Sequence, residues 1–379
     1  MVTIKKTICT NCSMGCGVGF VVNGNNVVEI AYDTDNPINF GSLCPRGHDL
    51  LGMLTNPGRL SIPSIKINNE AVNTTWEAAL KELASQLGKV AGHEVGVLIS
   101  GHASLEELEA AAKFCAETIQ TPYFEIEGVQ TALVNPDYAL FAQIPALETM
   151  VILGDVLEKT PCFSRSINAV KYGKKGNQII VIDESASHTS WFATQFFKAP
   201  LTTKDGAGQL PAELTEALAA AEKILSTAQS GMVVVSSPND DPQLEAIGWQ
   251  LAQKTGKKYL CFHTASNTYG ARQTLQKLSV RAALAGNKLK VLLALGAGLE
   301  AEIFPKLNAL TCLVAADLLE TDLTQQAHIV FPVAMPQECG GSFIFCGEQL
   351  RTVVPVVQPF GGAGSYVKIF NGLTKPGTR

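Results

Sequence analysis

No apolar run in the 379 residues approaches the roughly 20 that a membrane-crossing helix needs. A basic surface is missing too. The 29 Lys and Arg stand against 34 Asp and Glu for a net charge of −5, with no basic stripe, which excludes nucleic acid as an expected partner. The start, Met1-Val2-Thr3-Ile4-Lys5-Lys6-Thr7, reaches Cys9 too soon for a secretion signal and holds no twin-arginine pair, so the expected compartment is the cytoplasm. Neither a repeat of fixed period nor a low-complexity tract occurs. His48, His102, His188, His263 and His328 do not gather at ligand spacing, and each reads as a surface or satisfied core residue.

What remains is a composition with 46% hydrophobic and 17% charged residues, that of a soluble globular chain long enough for two or three domains. Ten cysteines are present, and their distribution argues against disulfides. Four crowd into the first 44 residues, whereas Cys115, Cys162, Cys261, Cys312, Cys339 and Cys346 are scattered, most of them in apolar surroundings that suit small core residues. Clustered cysteines in a reducing compartment more often bind metal than pair with each other.

The first sixty residues differ from the rest. Val18–Val22 and Val27–Ala31 flank Asn23-Gly24-Asn25-Asn26, a hairpin signal, and a loop from Asp33 to Pro37 leads on to Cys44. From Trp76 onward, helices alternate with short apolar strands. Thr74 and Glu77 are placed as a capping box before a helix with Trp76, Ala79, Leu80, Leu83 and Leu87 on one face, and a second helix starts after Ser104. Strands are expected at residues 95–100, 150–153, 178–182, 232–236, 258–262, 290–295, 311–315 and 328–331. Continuous Val/Ile/Leu runs between helices point to mainly parallel sheets covered on both faces, and their number exceeds one sheet. The expected fold class is therefore α/β, with a small β-rich N-terminal module followed by two α/β lobes. The module is placed at residues 1–60, one discontinuous lobe at 61–130 and 230–379, and a Rossmann-like lobe at 131–229.

The strongest motif is Cys9-x2-Cys12-x3-Cys16-x27-Cys44. A [4Fe-4S] cubane needs four converging thiolates; three on one loop wrap one side and a distant fourth closes the other. Gly15, Gly17 and Gly19 suit such a wrap by letting backbone N–H groups approach the sulfides. A structural zinc site also uses four cysteines, usually as two short knuckles, and the second half here offers only Cys44. On spacing alone both remain open. A redox C-x2-C pair lacks its βαβ context.

Further residues carry a resemblance. Asp33-Thr34-Asp35-Asn36-Pro37-Ile38-Asn39, Gly41-Ser42-Leu43-Cys44-Pro45-Arg46-Gly47, Asn56-Pro57-Gly58-Arg59-Leu60 and Trp76-Glu77-Ala78-Ala79-Leu80 follow one another in order. Then come Val151–Asp155, Ile179–Asp183, Ala327–Pro332 and Glu338–Phe343. In this order the chain resembles, over nearly its whole length, the molybdopterin oxidoreductase superfamily: formate dehydrogenases, periplasmic nitrate reductases, formylmethanofuran dehydrogenase and the large iron–sulfur subunit of complex I. The resemblance implies formate dehydrogenase-like domains I–III and a [4Fe-4S] cluster on Cys9, Cys12, Cys16 and Cys44. It also implies that Arg46 is the basic residue between the cluster and the nearer pterin, where a fixed cation favours the reduced cluster.

Departures from the family pattern shape the expected function. Catalytic relatives carry a Cys, selenocysteine, Ser or Asp just before the first nucleotide-side strand; Glu125–Val134 here contains no Cys, Ser, Asp or His. Asp137 lies beside Pro136 in a poorly matching setting, Cys115 is too early, and Cys162 is too late. The family's Asp-Pro-Arg reads Asp183-Glu184-Ser185, which puts two carboxylates where a guanine nucleotide's phosphates favour positive charge. Gly154 and Asp183 thus mark a degenerate nucleotide site for molybdopterin guanine dinucleotide; Gly154-Asp155 and Gly296–Gly298 end strands where α/β proteins place ligands. The chain also ends soon after the Gly341-Ser342-Phe343 signature, without the cap domain of catalytic relatives. The expected function is an iron–sulfur electron-transfer subunit of a cytoplasmic hetero-oligomer, working with other iron–sulfur or flavin proteins. A truncated catalytic molybdenum or tungsten pterin subunit of formate or formylmethanofuran dehydrogenase type is the alternative, and a zinc-stapled scaffold is the third.

Overall fold

The computed structural model describes residues 1–129, 138–201, 210–236, 241–274, 277–347 and 349–374. The chain opens with β1 (Val2–Ile8), β2 (Gly17–Asn23) and β3 (Asn26–Ala31), an antiparallel sheet in that order. The hairpin between β2 and β3 turns at Gly24, whose φ of +62° a side chain rarely adopts. Next comes α1 (Pro45–Thr55), with Cys44 at its N-cap and Pro45 at its first position, where a missing N–H costs nothing.

Thereafter come β4 (Ser64–Ile67), β5 (Glu70–Asn73), α2 (Trp76–Leu87), β6 (Val95–Ile99), α3 (Leu105–Lys113) and β7 (Tyr123–Ile126). The cap of α2 is Thr75, whose hydroxyl accepts from the amide of Ala78; Thr74 instead donates its amide to Pro63. The expected capping pair was therefore one residue early. A Ser104–Glu107 capping box starts α3.

The middle of the chain forms β8 (Thr149–Leu153), α4 (Val156–Lys159), α5 (Ser164–Gly173), β9 (Gln178–Asp183), β10 (Gln195–Lys198), α6 (Ala212–Thr227), β11 (Gly231–Val235), α7 (Pro242–Thr255) and β12 (Lys258–Cys261). Its sheet is parallel throughout, in the order β10-β9-β8-β11-β12. Both β11 and β12 thus belong with β8, and the passage back to the other lobe falls after Cys261 rather than at residue 230. An apolar run announces a strand but not its neighbour, so the sequence could not place that crossing.

The last part supplies α8 (Thr268–Gln273), α9 (Val280–Ala285), β13 (Val291–Leu295), β14 (Cys312–Asp317), α10 (Asp322–Gln326), β15 (Ile329–Pro332), α11 (Pro336–Cys339), β16 (Gly341–Phe345), β17 (Gln349–Val353) and α12 (Tyr366–Thr374). Together with the earlier strands these give a seven-stranded sheet, β5-β4-β15-β14-β13-β6-β7, parallel from β15 to β7 and closed by the antiparallel β4–β5 hairpin. The β16–β17 pair stands apart as a hairpin. The fold is α/β with mainly parallel sheets and a β-rich N-terminal region.

Burial is deepest in the strands: every residue of β6, β8, β11 and β13 is buried, as their uninterrupted apolar runs require. One hydrophobic cluster joins Cys9, Cys12, Met14 and Leu50 of the first module to Ile152, Phe163 and Phe262 of the five-stranded lobe. The module is therefore packed into a lobe rather than tethered beside it. Among the described residues, no helix is long and apolar enough to cross a membrane.

Candidate metal centre

Three of the four expected thiols sit on the loop between β1 and β2. Its neck is pinned by the amide of Cys9 donating to the carbonyl of Cys16 at 2.8 Å. Gly15 makes the turn at φ +68°, and a Cβ there would lie 2.6 Å from the ring of Phe345 in β16. Gly17 packs against Asn36, and Gly19 against Ala31 across the strand pair. All three glycines thus answer to protein neighbours, a requirement separate from the approach to sulfide.

The fourth thiol arrives on a separate arm, which buried Asn39 stitches to the loop. Its carboxamide oxygen accepts from the Gly17 amide at 2.9 Å, while its nitrogen donates to the carbonyls of Gly17 at 3.0 Å and Ser42 at 2.7 Å. The Asp33–Asn39 motif is therefore a clamp that holds Cys44 against Cys16. Asn11 donates to the carbonyl of Arg46 at 2.6 Å and joins the two arms again.

Cys9, Cys12 and Cys16 are buried and Cys44 is partly so. Burial, helped by the neighbouring thiols, pushes Cys9 up strongly and Cys12 up to about 11. Against this, the amides of Asn11 and Met14 favour thiolate at Cys9 and Cys12, and those of Gly47 and Arg46, in the first turn of α1, do so at Cys44. Four thiols that suppress each other's ionisation, with amides aimed at their sulfurs, fit a positively charged metal group that reverses the balance.

A fifth cysteine lies near this group. Cys162, which spacing alone assigned to the scattered core cysteines, comes against the arm that carries Cys44. Its Sγ is 3.5 Å from the carbonyl of Ser42. Spacing could not reveal it, because it comes from the other lobe, 120 residues beyond Ser42.

Arg46 leaves the module and donates to the carbonyls of Lys159 at 3.0 Å and Glu158 at 3.4 Å, at the end of α4. It also borders a cavity of about 430 Å³ between the cysteine loop and the C-terminal ends of the seven-stranded sheet. Thr10, Asn11, His102, Asp317 and Cys339 supply much of the cavity's polar lining. Burial raises the Asp317 carboxyl above the usual carboxylate range.

The rest of the chain holds the loop from below. The amide of Cys346 donates to the carbonyl of Ser13 at 2.7 Å, that of His263 to the Ser13 hydroxyl at 2.8 Å, and Gln337 to the carbonyl of Ile8 at 2.8 Å. Buried His263 also lies 3.7 Å from Glu245, and Cys261 completes a compact trio with them. Arg272 already takes both oxygens of Glu245, at 2.8 and 2.5 Å, and so supplies the positive charge that a cation would bring.

Two family models match this chain: the molybdopterin oxidoreductase Fe4S4 domain over residues 2–56, and molybdopterin oxidoreductase over residues 59–375. The chain belongs to the molybdopterin oxidoreductase family. The F420-dependent formate dehydrogenase subunit alpha of Methanocaldococcus jannaschii is 31% identical over 199 residues, which is 49% of this chain and 29% of that protein. A second such subunit, formate dehydrogenase 2 subunit alpha of Methanococcus maripaludis, is 28% identical over 52% of this chain and 30% of its own length. NADH-quinone oxidoreductase subunit 3 of Thermus thermophilus is 27% identical over 41% of this chain and 20% of its own. These matches span less than a third of each relative. Among solved structures, acetylene hydratase from Pelobacter acetylenicus superposes with a TM-score of 0.67 over 97% of this chain and 68% of its own, at 14% identity.

Oxidoreductases of this family carry a [4Fe-4S] domain and a molybdopterin domain, and the thiols described above fit the first. At the ends of β8 and β9 the polar groups are already engaged with one another. Gly154, at φ +84°, is a glycine because a Cβ would lie 2.3 Å from the carbonyl of Ser236. Asp155 already accepts from the amide of Leu157 and from the hydroxyl of Thr189. Asp183 accepts from the amide of Glu184, and Glu184 from that of Leu201. Burial raises the Asp183 carboxyl, and the neighbouring Asp155 and Glu184 raise it further. The amides of Leu157, Glu184 and Leu201 are thus taken by carboxylates.

Proposed function

We propose that this chain is an iron–sulfur electron-transfer subunit of a multi-subunit cytoplasmic oxidoreductase. In this reading Cys9, Cys12, Cys16 and Cys44 hold one [4Fe-4S] cluster on a molybdopterin-oxidoreductase scaffold that has lost its metal-ligating side chain. The observation that carries it is an intact thiol set together with carboxylates, in the stretch from Glu125, that are already engaged. Arg281 binds Glu125, binds Glu127 at 3.3 Å and binds Glu300 at 3.0 Å. Glu125 also accepts from the Ser279 hydroxyl at 2.8 Å, and Glu127 from the Gly298 amide at 2.9 Å. The remainder of the stretch, residues 130–134, and Asp137 lie outside the described residues.

When bound, the cluster supplies a one-electron couple. The protein's part is to present thiolates, to aim the amides of Asn11, Met14, Arg46 and Gly47 at them, and to hold the Arg46 cation where it favours the Cys12 thiolate. Gly154 and Asp183 mark the degenerate nucleotide end. A relay needs neighbours within tunnelling reach, so the partners are iron–sulfur or flavin subunits of a hetero-oligomer; that the relatives are named as subunits agrees with this.

A second reading is favoured by the cavity beside Thr10 and Asn11, which suits the pterin of a catalytic molybdenum or tungsten subunit. Anaerobic determination of Fe, sulfide, Mo, W and pterin per chain separates the two. The relay reading expects four Fe and four sulfide with neither Mo nor W. Stoichiometric Mo or W on this chain refutes it in favour of the second.

A further inference from the structure

Two guanidinium groups belong to the surroundings of the cysteine loop. Arg46 turns away from it to the carbonyls of Lys159 and Glu158, and borders the cavity. Arg351 comes from β17, beneath the loop, and takes no part in the cavity wall. It stands opposite Phe343 in the β16–β17 register, on the face that also carries Phe345. Its guanidinium lies 5.8 Å from the centre of the Phe345 ring and donates to the carbonyl of Gly15, the residue before Cys16.

A cation that only propped this turn would be poorly placed. Arg351 is half-buried, and among the described residues it has no carboxylate partner. Asp33, on the neighbouring arm, is taken by Lys6 at 2.6 Å. By contrast Arg59, Arg272 and Arg281 each hold a carboxylate, that of Glu338, Glu245 and Glu125 respectively. A guanidinium gives up hydration on burial and is stabilised by an anion that replaces it. A [4Fe-4S] cluster with its four thiolates is anionic, and reduction adds one further negative charge.

We propose that Arg351 is a positioning residue for the cluster's potential: its fixed charge, held against the Gly15–Cys16 peptide, favours the reduced state and raises the midpoint. In the step concerned, the iron–sulfur or flavin partner is oxidised by one electron and the cluster is reduced by one. Arg351 keeps its protons and its charge throughout.

The inference rests on reading Cys9, Cys12, Cys16 and Cys44 as the ligands of one cluster. Iron and sulfide analysis of the unaltered chain tests that reading separately, since a chain without either fails there first. Given a cluster, anaerobic redox titration followed by EPR tests the proposal. R351K keeps the charge, whereas R351Q keeps a donor for the Gly15 carbonyl and loses the charge. At fixed potential R351Q is expected to lower the ratio of reduced to oxidised cluster about tenfold, a midpoint about 59 mV more negative for one electron, while R351K stays close to the parent. A purely structural role would loosen the cluster in R351Q and leave the midpoint of what remains unmoved, and that result overturns the proposal. An equal shift in R351K and R351Q overturns it too, because charge is then not the cause. Should R351Q hold no cluster, R351H decides, its ring charged at about pH 5.5 and neutral at about pH 8.5. Between those values the ratio is expected to fall about tenfold further in R351H than in the parent; equal changes in the two overturn the proposal.

Discussion

Arg59 and Glu338 show what two short motifs do for the fold. Both Arg59 terminal nitrogens donate to the Glu338 carboxylate, at 2.7 and 2.6 Å, with side-chain exposures of 1% and 2%. Glu338 also accepts from the amides of Met335 at 2.7 Å and Phe360 at 3.1 Å, so its charge is fully engaged. A buried pair of this kind is worth little net against an apolar pair of equal volume, but removing one partner leaves an unmatched charge. Glu338→Ala is therefore expected to cost about 3–5 kcal/mol in urea unfolding, with an Arg59→Met/Glu338→Met double variant closer to the parent. A loss below about 1 kcal/mol, the range of an exposed ion pair, would show that the guanidinium finds water instead. Each residue stood out in the sequence inside its motif, but their partnership across 279 positions did not, because an ion pair leaves no periodic trace.

At the level of elements, legibility follows burial on both faces. The strands β6, β8, β9 and β11 to β15 announce themselves as apolar runs, and the structure has a strand at each. The strands β1, β4, β5, β10 and β17 are largely exposed or half-exposed, and their mixed polarity hid them. The hidden β16–β17 hairpin matters for the centre, because it forms the floor beneath the cysteine loop. Arg351 donates to the carbonyl of Gly15, and the fully buried Phe345, stacked on Phe343, fills the space below. Gly15→Ala must accept a left-handed conformation, at about 1–2 kcal/mol, and push a Cβ into a ring that has nowhere to go. The expected result is a cluster held at least about tenfold more weakly, read by chelator titration of the absorbance near 400 nm, with unchanged far-ultraviolet circular dichroism. Retention equal to the parent's would mean that the loop and hairpin shift together at no cost.

For the whole molecule, the thiol group lies where every part of the chain meets. The first module supplies Cys9, Cys12, Cys16 and Cys44; the five-stranded lobe adds Cys162 and the His263 backbone against Ser13. From the other side, His102 lies 3.2 Å from the carbonyl of Thr10 and Gln337 reaches Ile8. A group bound there links three units, so its binding energy adds to the folding energy of all three contacts. Both lobes nevertheless have cores of their own: the faces of the seven-stranded sheet, and the outer face of the five-stranded sheet, are packed without any of these thiols. Stripping iron with a chelator under reducing conditions should therefore lower the melting temperature without dissolving the lobes. The amides of Asn11, Met14 and Gly47 should lose hydrogen-exchange protection together with those of the Asp33–Asn39 clamp, while β8, β11, β13 and β14 keep theirs. If stripping instead deprotects both parallel sheets to the same extent, the cluster nucleates the entire chain and the lobes do not stand on their cores. If it changes nothing even in the loop, the hydrogen bonds around Asn39, Ser13 and Gln337 suffice to hold the thiols in place without a metal.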